Sequence, residues 1–148
     1  MNSTDSRAQA TWSGSLTQGG GTLRLDSGVA PEVPISWASR TARSVGKTSP
    51  EELLAAAHAS CFAMAFSADL SDGGTPPSRL DVTATVTFAQ SDAGWGVASS
   101  HLEVRGVVPG IDQEAFAAVA TAAKDGCPIS RALKGNVELS VAATLEQG

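Results

Sequence analysis

The stretch TSPEELLAAAHASCFAMAFSADL, residues 48–70, is the most strongly patterned part of this chain. Ser49, Pro50 and Glu52 fit the N-cap, first and third positions of a helix. They predict a capping box in which the Ser49 hydroxyl and the Glu52 carboxylate each accept a hydrogen bond from the other residue's backbone amide. Residues 53–68 then contain no Asp, Glu, Lys or Arg. We therefore predict a long, apolar helix that begins at this cap.

The predicted helix, over residues 48–72, ends before the pair Gly73-Gly74. A helix of about 20 residues is about 30 Å long, and one that is apolar on nearly every side is expected to be buried. Cys61, one of only two cysteines in the chain, lies near its middle. A monomer of this size has too few other elements to cover such a helix all round, so we expect a homodimer that shares it.

The totals indicate one domain, residues 1–148, with a net charge of -5. An acidic chain without a basic run is not expected to bind nucleic acid or an anionic membrane. The apolar run 53–68 is shorter than a membrane span of about 18 residues, and the N-terminus lacks the apolar segment of a signal peptide. We therefore expect a cytoplasmic protein. In that compartment thiols are more often catalytic, redox-active or metal-binding than structural.

The remaining elements fall on either side of the helix. The N-terminal part, residues 1–47, has strand patterns, and the C-terminal part, residues 80–148, has strands and helices. The predicted strands are residues 9–15, 21–27, 33–42, 80–88, 97–108 and 136–145, and the predicted helices are residues 112–125 and a short one that opens at Cys127-Pro128. This order predicts an α+β fold of mainly antiparallel sheets packed around the long central helix.

The two cysteines have different settings. Cys61 lies on an apolar helix, where a lone cysteine often acts as a small buried hydrophobe, and it would need a neighbouring cation to ionise. Cys127 precedes Pro128 at a predicted helix N-terminus, a position that lowers a thiol pKa. From the residues alone, Cys127 is the more acidic candidate.

His58 lies one turn before Cys61 and has two interpretations. It is either a general base or metal ligand beside the thiol, or a core histidine whose hydrogen bonds are satisfied. His101 follows the polar side of a predicted strand and is expected to face solvent. The spacing of these residues and Cys127 has none of the paired ligand motifs of zinc sites, so we predict no metal.

Three segments resemble the OsmC/Ohr family of thiol-dependent hydroperoxide reductases: ISWASR, SPEELLAAAHASCFAMAF and DGCPISRALKGNVEL. The resemblance covers nearly the whole chain, and the AAHASCF form is more similar to the OsmC branch than to the Ohr branch. It implies the OsmC-like fold, an intertwined homodimer with active sites at the interface, and roles in oxidative and osmotic stress. No metal or organic cofactor is implied.

The resemblance also implies the roles of four residues. Cys61 matches the peroxidatic cysteine, and Cys127 matches the resolving cysteine that closes an intramolecular disulfide with it. Arg40 matches the arginine that activates the thiolate, and Glu51 matches the carboxylate that orients this arginine. The loop before the helix leaves Arg43 as an alternative to Arg40.

The implied activity is reduction of organic hydroperoxides, and of hydrogen peroxide in addition, with a dithiol such as a dihydrolipoyl group as reductant. Glu51 and Cys61 are about 15 Å apart along one helix. We therefore expect each site to take Arg40 and Glu51 from one subunit, and Cys61 and Cys127 from the other. Two alternatives stay open: a redox-sensing or stress-response binding protein with a reversible disulfide and little turnover, and a structural dimer with inert thiols.

Overall fold

The computed structural model describes residues 2–43 and 45–147 of the chain. Residues 1, 44 and 148, which belong to the predicted domain 1–148, lie outside the described residues. The chain forms two compact units, a first unit that ends at Leu53 and a second unit that begins at Leu54.

The first unit contains a three-stranded antiparallel sheet in the order β1-β2-β3. The strands are β1 (Ala8–Ser13), β2 (Gly20–Leu25) and the short β3 (Val33–Ile35). The predicted N-terminal hairpin is confirmed, with strand ends one or two residues earlier than the sequence pattern indicated. Trp12 pairs with Gly21, where a side chain larger than hydrogen would meet the backbone of β1.

The strand predicted over residues 33–42 is wrong after Ile35. Helix α1 (Trp37–Thr41) follows instead, because Ser36 and Ser39 form a capping box. The Ser36 hydroxyl accepts from the Ser39 amide at 3.1 Å, and the Ser39 hydroxyl oxygen accepts from the Ser36 amide at 3.2 Å. These local hydrogen bonds override the alternating pattern, so Arg40 lies in the last turn of a short helix and not at a strand end.

Helix α2 (Pro50–Asp72) is the predicted central helix. The Ser49 hydroxyl accepts from the Glu52 amide at 3.1 Å, as predicted, and the Glu52 carboxylate accepts from the Thr48 hydroxyl at 2.7 Å. Glu51 and Glu52 lie in the first turn, where the helix dipole favours negative charge.

One face of α2 is buried and the opposite face is exposed. His58, Phe62, Phe66 and Leu70 recur every fourth residue and are all buried, whereas Ala56, Ser60, Met64 and Ala68 are exposed. Met64 keeps 68% of its surface exposed. A single chain therefore does not cover the helix all round, as we expected from its composition.

The same helix is long and apolar enough to cross a membrane by length and composition, with a mean hydropathy of 1.4. The core helix of a soluble protein passes the same test. The buried stripe on α2 packs against protein, since Phe62, Phe66 and Leu70 belong to the core of the second unit. We therefore interpret α2 as a core helix.

The second unit contains a three-stranded sheet in the order β4-β5-β6. Strand β4 (Arg79–Ser91) pairs antiparallel with β5 (Gly94–Val107), and its side chains alternate between the two faces as predicted. Strand β6 (Glu138–Glu146) pairs parallel with β5, so this sheet is mixed. Helices α3 (Gln113–Gly126) and α4 (Pro128–Leu133) form the crossover that a parallel connection requires.

Aromatic rings join the helices of the second unit. The Phe66 ring lies 5.4 Å from the Phe62 ring and 5.0 Å from the Phe116 ring of α3, in tilted arrangements that favour attraction. Phe116 in turn packs on Gly106 of β5, where an added Cβ would lie 2.6 Å from the ring. The glycine is therefore a requirement of close packing between α3 and the sheet.

We predict that Gly106→Ala lowers the free energy of unfolding by about 1–3 kcal/mol, because the new methyl group overpacks the contact with Phe116. Gly96→Ala, on the same strand with nothing within 4 Å of the added Cβ, is the matched control. Its free energy of unfolding should change by less than about 1 kcal/mol. Urea unfolding of both variants measures the difference, and equal midpoints would contradict the packing role of Gly106.

Candidate active site

The structure brings the two cysteines together within the second unit. Cys61 on α2 is partly buried, and the Cys127 side chain and the Ile129 backbone lie close enough to influence the pKa of its thiol. Cys127 is fully buried. Neither cysteine is in a disulfide, so the chain holds two free thiols close to one another. Sequence spacing alone could not establish this proximity, because 66 residues separate the two positions.

The position of Cys127 is fixed by the turn between two helices. Its amide donates to the Ala123 carbonyl of α3 at 2.8 Å, and its carbonyl accepts from the Arg131 amide of α4 at 2.9 Å. Pro128 occupies the first turn of α4, as predicted. Cys127 is therefore the N-cap of α4, and no hydrogen bond from its side chain caps the helix.

The surroundings of Cys61 favour its neutral form. Burial is the main cause that raises the pKa of the Cys61 thiol, the Ile129 backbone opposes this, and the neighbouring Cys127 thiol raises the pKa further. A buried thiol becomes a nucleophile near neutral pH only when a positive charge stabilises its thiolate. The second unit therefore contains both thiols, but the causes that shift the pKa of Cys61 include no positive charge that would favour its thiolate.

A partly buried ion pair lies in the first unit. Arg40 Nε and Nη2 both lie 2.9 Å from the same Glu51 carboxylate oxygen, Oε1. The Glu51 side chain is only 8% exposed, whereas the Arg40 side chain is 34% exposed. Glu51 thus holds the guanidinium by one edge and leaves part of it open to solvent.

Of the two arginines that the sequence left open, Arg40 contacts Glu51, while Arg43 follows α1 and is exposed. The other oxygen of the carboxylate, Glu51 Oε2, is buried and has no hydrogen-bond partner among the described residues. A buried carboxylate oxygen of this kind has capacity for a further donor. The described contacts therefore form two pairs, Arg40 with Glu51 in the first unit and Cys61 with Cys127 in the second.

His58 is a satisfied core histidine, the second of its two predicted interpretations. Its side chain is fully buried, with Nδ1 2.6 Å from the Ser100 hydroxyl and Nε2 2.8 Å from the Ser130 hydroxyl. Burial lowers the pKa of His58 and so favours the neutral ring. Both ring nitrogens are engaged, so neither is available to a metal ion or to the Cys61 thiol.

The two serines were not singled out from the sequence. Ser100 lies on the buried face of β5, in phase with Leu102 and Val104. A serine in phase with apolar residues of a strand indicates a buried hydroxyl that needs a hydrogen-bond partner, and this pattern could have singled out Ser100. Ser130 follows Cys127 by one helical turn and is also buried. Its partner could not be inferred because the contact spans 72 residues.

The second histidine is near the surface. The His101 side chain is 41% exposed, in keeping with its predicted position on the polar side of β5, and Nδ1 lies 2.6 Å from the Ser140 hydroxyl. Within residues 2–43 and 45–147, no group of three or more His, Cys, Asp or Glu side chains is placed to hold a metal ion. The reactive side chains that lie close together in the second unit are the thiols of Cys61 and Cys127.

Comparisons with known proteins agree with the fold and with the motifs. The family model described as OsmC-like protein matches residues 43–142. Peroxiredoxin OsmC of Escherichia coli (strain K12) is 40% identical over 133 residues, which are 90% of this chain and 92% of that protein. An organic hydroperoxide resistance protein of Xanthomonas axonopodis pv. citri (strain 306) is 32% identical over 95 residues, 64% of this chain and 65% of that one.

Solved structures show the same fold. The crystal structure of an organic hydroperoxide resistance protein from Elizabethkingia anophelis superposes with a TM-score of 0.76 at 24% identity, covering 99% of this chain and 100% of that one. The predicted α+β architecture is confirmed, and the names of the relatives support the expectation of a peroxidase-type enzyme. By the family model and the relative from Escherichia coli, the chain belongs to the OsmC-like protein family.

Proposed function

We propose that this chain is a thiol-dependent peroxidase that reduces organic hydroperoxides, and hydrogen peroxide in addition. The observation that supports this most directly is the proximity of the Cys61 and Cys127 thiols inside one chain of an OsmC-like protein. Relatives are named a peroxiredoxin and an organic hydroperoxide resistance protein. Two thiols close to one another can donate the two electrons that reduce a peroxide, because they can then form a disulfide.

In the first step the Cys61 thiolate attacks the distal oxygen of the hydroperoxide and the O–O bond breaks. The distal oxygen stays on sulfur as a sulfenic acid, and the rest of the substrate leaves as an alcohol after taking up a proton. In the second step the Cys127 sulfur attacks the Cys61 sulfenic sulfur, forms the disulfide and releases water. A dithiol of the dihydrolipoyl kind then reduces the disulfide by thiol–disulfide exchange.

Arg40 is the residue we propose to ionise Cys61. Because burial raises the pKa of the Cys61 thiol, the first step needs a cation at the sulfur. A guanidinium is always protonated at neutral pH and presents several N–H donors in one plane. Glu51 holds the Arg40 guanidinium along one edge, and the Arg40 side chain is 34% exposed. In the proposed mechanism this guanidinium donates hydrogen bonds to the Cys61 thiolate and to a peroxide oxygen.

We propose that the protein acts as a homodimer in the cytoplasm. The exposed face of α2, which includes Met64, is an apolar surface that a second copy of the helix would cover. Glu51 and Cys61 are about 15 Å apart along α2 by helix geometry. Each site would then combine Arg40 and Glu51 of one subunit with Cys61 and Cys127 of the other.

The activity is tested by a coupled peroxidase assay with tert-butyl hydroperoxide and a dihydrolipoyl reductant. We predict sustained turnover for the wild type and a loss of at least about 1,000-fold in Cys61→Ser, because a hydroxyl is not a comparable nucleophile at neutral pH. Cys127→Ser should reduce the peroxide once and then over-oxidise at Cys61. Ser140→Ala, distant from the thiols in sequence and partnered with His101, is the control expected to keep full activity.

One outcome would favour the redox-sensing alternative over the peroxidase. If the wild type forms the Cys61–Cys127 disulfide once per chain and shows no turnover with any dithiol, the chain is a sensor or binding protein. If Cys61→Ser keeps the wild-type rate, the proposed nucleophile is wrong.

Sharing of the site is tested by mixing two inactive variants, Cys61→Ser and Arg40→Met. In a mixed dimer, one site would unite an intact Cys61 and Cys127 with an intact Arg40 and Glu51. After refolding a one-to-one mixture, random pairing should restore about a quarter of the wild-type turnover. Each variant refolded alone is the control, and a mixture no more active than the controls would contradict the shared site.

A further inference from the structure

His58 connects three elements of the second unit that bear on the thiol pair. It belongs to α2, one turn before Cys61, and its Nε2 bonds to Ser130 of α4, one turn after Cys127. Its Nδ1 bonds to Ser100 of β5. His58 and Ser100 are fully buried and Ser130 is 1% exposed, so water does not compete for these hydrogen bonds.

Because the His58 ring is neutral and buried, it can bond to the hydroxyls of Ser100 and Ser130 in only two ways. A neutral imidazole donates from one nitrogen and accepts at the other, so one serine hydroxyl accepts and the other donates. Loss of either partner leaves a buried polar group unsatisfied, at a cost of about 1–3 kcal/mol. A fully satisfied polar group within an apolar core fixes the relative positions of the elements that it joins.

Helix α4 depends on such contacts for its position. It has only six residues, and its backbone hydrogen bonds include those from Arg131 to Cys127 and from Lys134 to Ser130. So short a helix has little stability of its own and is held by tertiary contacts. The 2.8 Å bond between His58 and Ser130 ties it directly to α2.

The two contacts between α2 and α4 are neighbours. His58 precedes Cys61 on α2 by three residues, whereas Ser130 follows Cys127, the N-cap of α4, by three residues. The pair His58–Ser130 and the pair Cys61–Cys127 are therefore adjacent rungs between two segments that run in opposite directions. A displacement of α4 that breaks the first rung also separates the two sulfur atoms of the second. The imidazole itself does not contact reacting atoms, since both its nitrogens are occupied by serines.

We propose that His58 is a positioning residue for disulfide closure, which acts through Ser130 to hold Cys127 within reach of Cys61. This inference deepens the proposed peroxidase function and rests on the disulfide step of that function. The bond to Ser100 has a different part, because it anchors the ring of His58 to the sheet and does not reach α4.

The test compares Ser130→Ala with Ser100→Ala. Each variant removes one buried hydroxyl that bonds to the same imidazole, so their general costs are matched. The wild type and both variants are equilibrated in glutathione redox buffers, and the fraction of Cys61–Cys127 disulfide gives the effective concentration of one thiol at the other. This measurement requires no peroxide and no turnover.

We expect Ser130→Ala to lower the effective concentration at least about tenfold, which makes the reduction potential about 30 mV less negative. Ser100→Ala should stay within about threefold of the wild type, and Ser130→Thr, which keeps the hydroxyl, should restore the wild-type value. His58→Asn, whose side chain is too short to keep both hydrogen bonds, is a second variant expected to lower the effective concentration as Ser130→Ala does.

Equal effective concentrations in Ser130→Ala and Ser100→Ala, at comparable losses of stability in urea, would overturn the inference and leave His58 as a packing residue. A failure of the proposed function would show differently, since the wild type would then lack peroxidase turnover whatever the redox equilibrium. With peroxide, Ser130→Ala should also over-oxidise Cys61 to the sulfinic acid at least about fivefold more often per turnover than Ser100→Ala.

Discussion

The buried stripe of α2 is the constraint on which the rest of the second unit depends. His58, Phe62, Phe66 and Leu70 recur every fourth residue and are all buried, so they fix the rotation of the helix about its axis. Two phenylalanine rings of the stripe and Phe116 of α3 form a continuous aromatic contact. Cys61 lies beside this stripe, is partly buried and packs against the same core, to which Cys127 also belongs.

The two units contain different reactive groups: the first contains the ion pair of Arg40 and Glu51, and the second contains the two thiols. Burial raises the pKa of the Cys61 thiol and thereby opposes its ionisation. The ion pair of Arg40 and Glu51 is built in the other unit, where Glu51 benefits from the N-terminus of α2. In the proposed mechanism the Cys61 thiol stays protonated until the Arg40 guanidinium stabilises its thiolate, which protects it from adventitious oxidation.

Much of this could be predicted from the sequence, because the decisive patterns are local. The apolar run after Ser49 specified α2, the alternation at residues 80–88 specified β4, and Asp112 specified the start of α3, whose Ala115 amide it caps at 2.8 Å. The resemblance to the OsmC/Ohr family rested on motifs around Cys61 and Cys127, and the family model and relatives confirm it.

What the sequence did not reveal depended on competition between local patterns or on distant contacts. The capping box of Ser36 and Ser39 replaced the end of a predicted strand by helix α1. Strand β6 pairs parallel with β5 because α3 and α4 form a crossover between them, and the alternating pattern of a strand does not reveal its direction relative to its neighbour. The hydrogen bonds of His58 join residues 42 and 72 positions away, so no local pattern predicts them.

In the proposed reaction peroxide oxidises Cys61 first, and Cys127 then closes the disulfide. The most direct measurement is rapid-quench intact mass spectrometry after one equivalent of an alkyl hydroperoxide is added to the reduced protein, with dimedone as a sulfenic acid trap. We predict that the wild type loses about 2 Da, that Cys127→Ser gains about 16 Da or the dimedone adduct at Cys61, and that Cys61→Ser is unchanged over the same time. Oxidation of Cys127 in Cys61→Ser at the wild-type rate would contradict it.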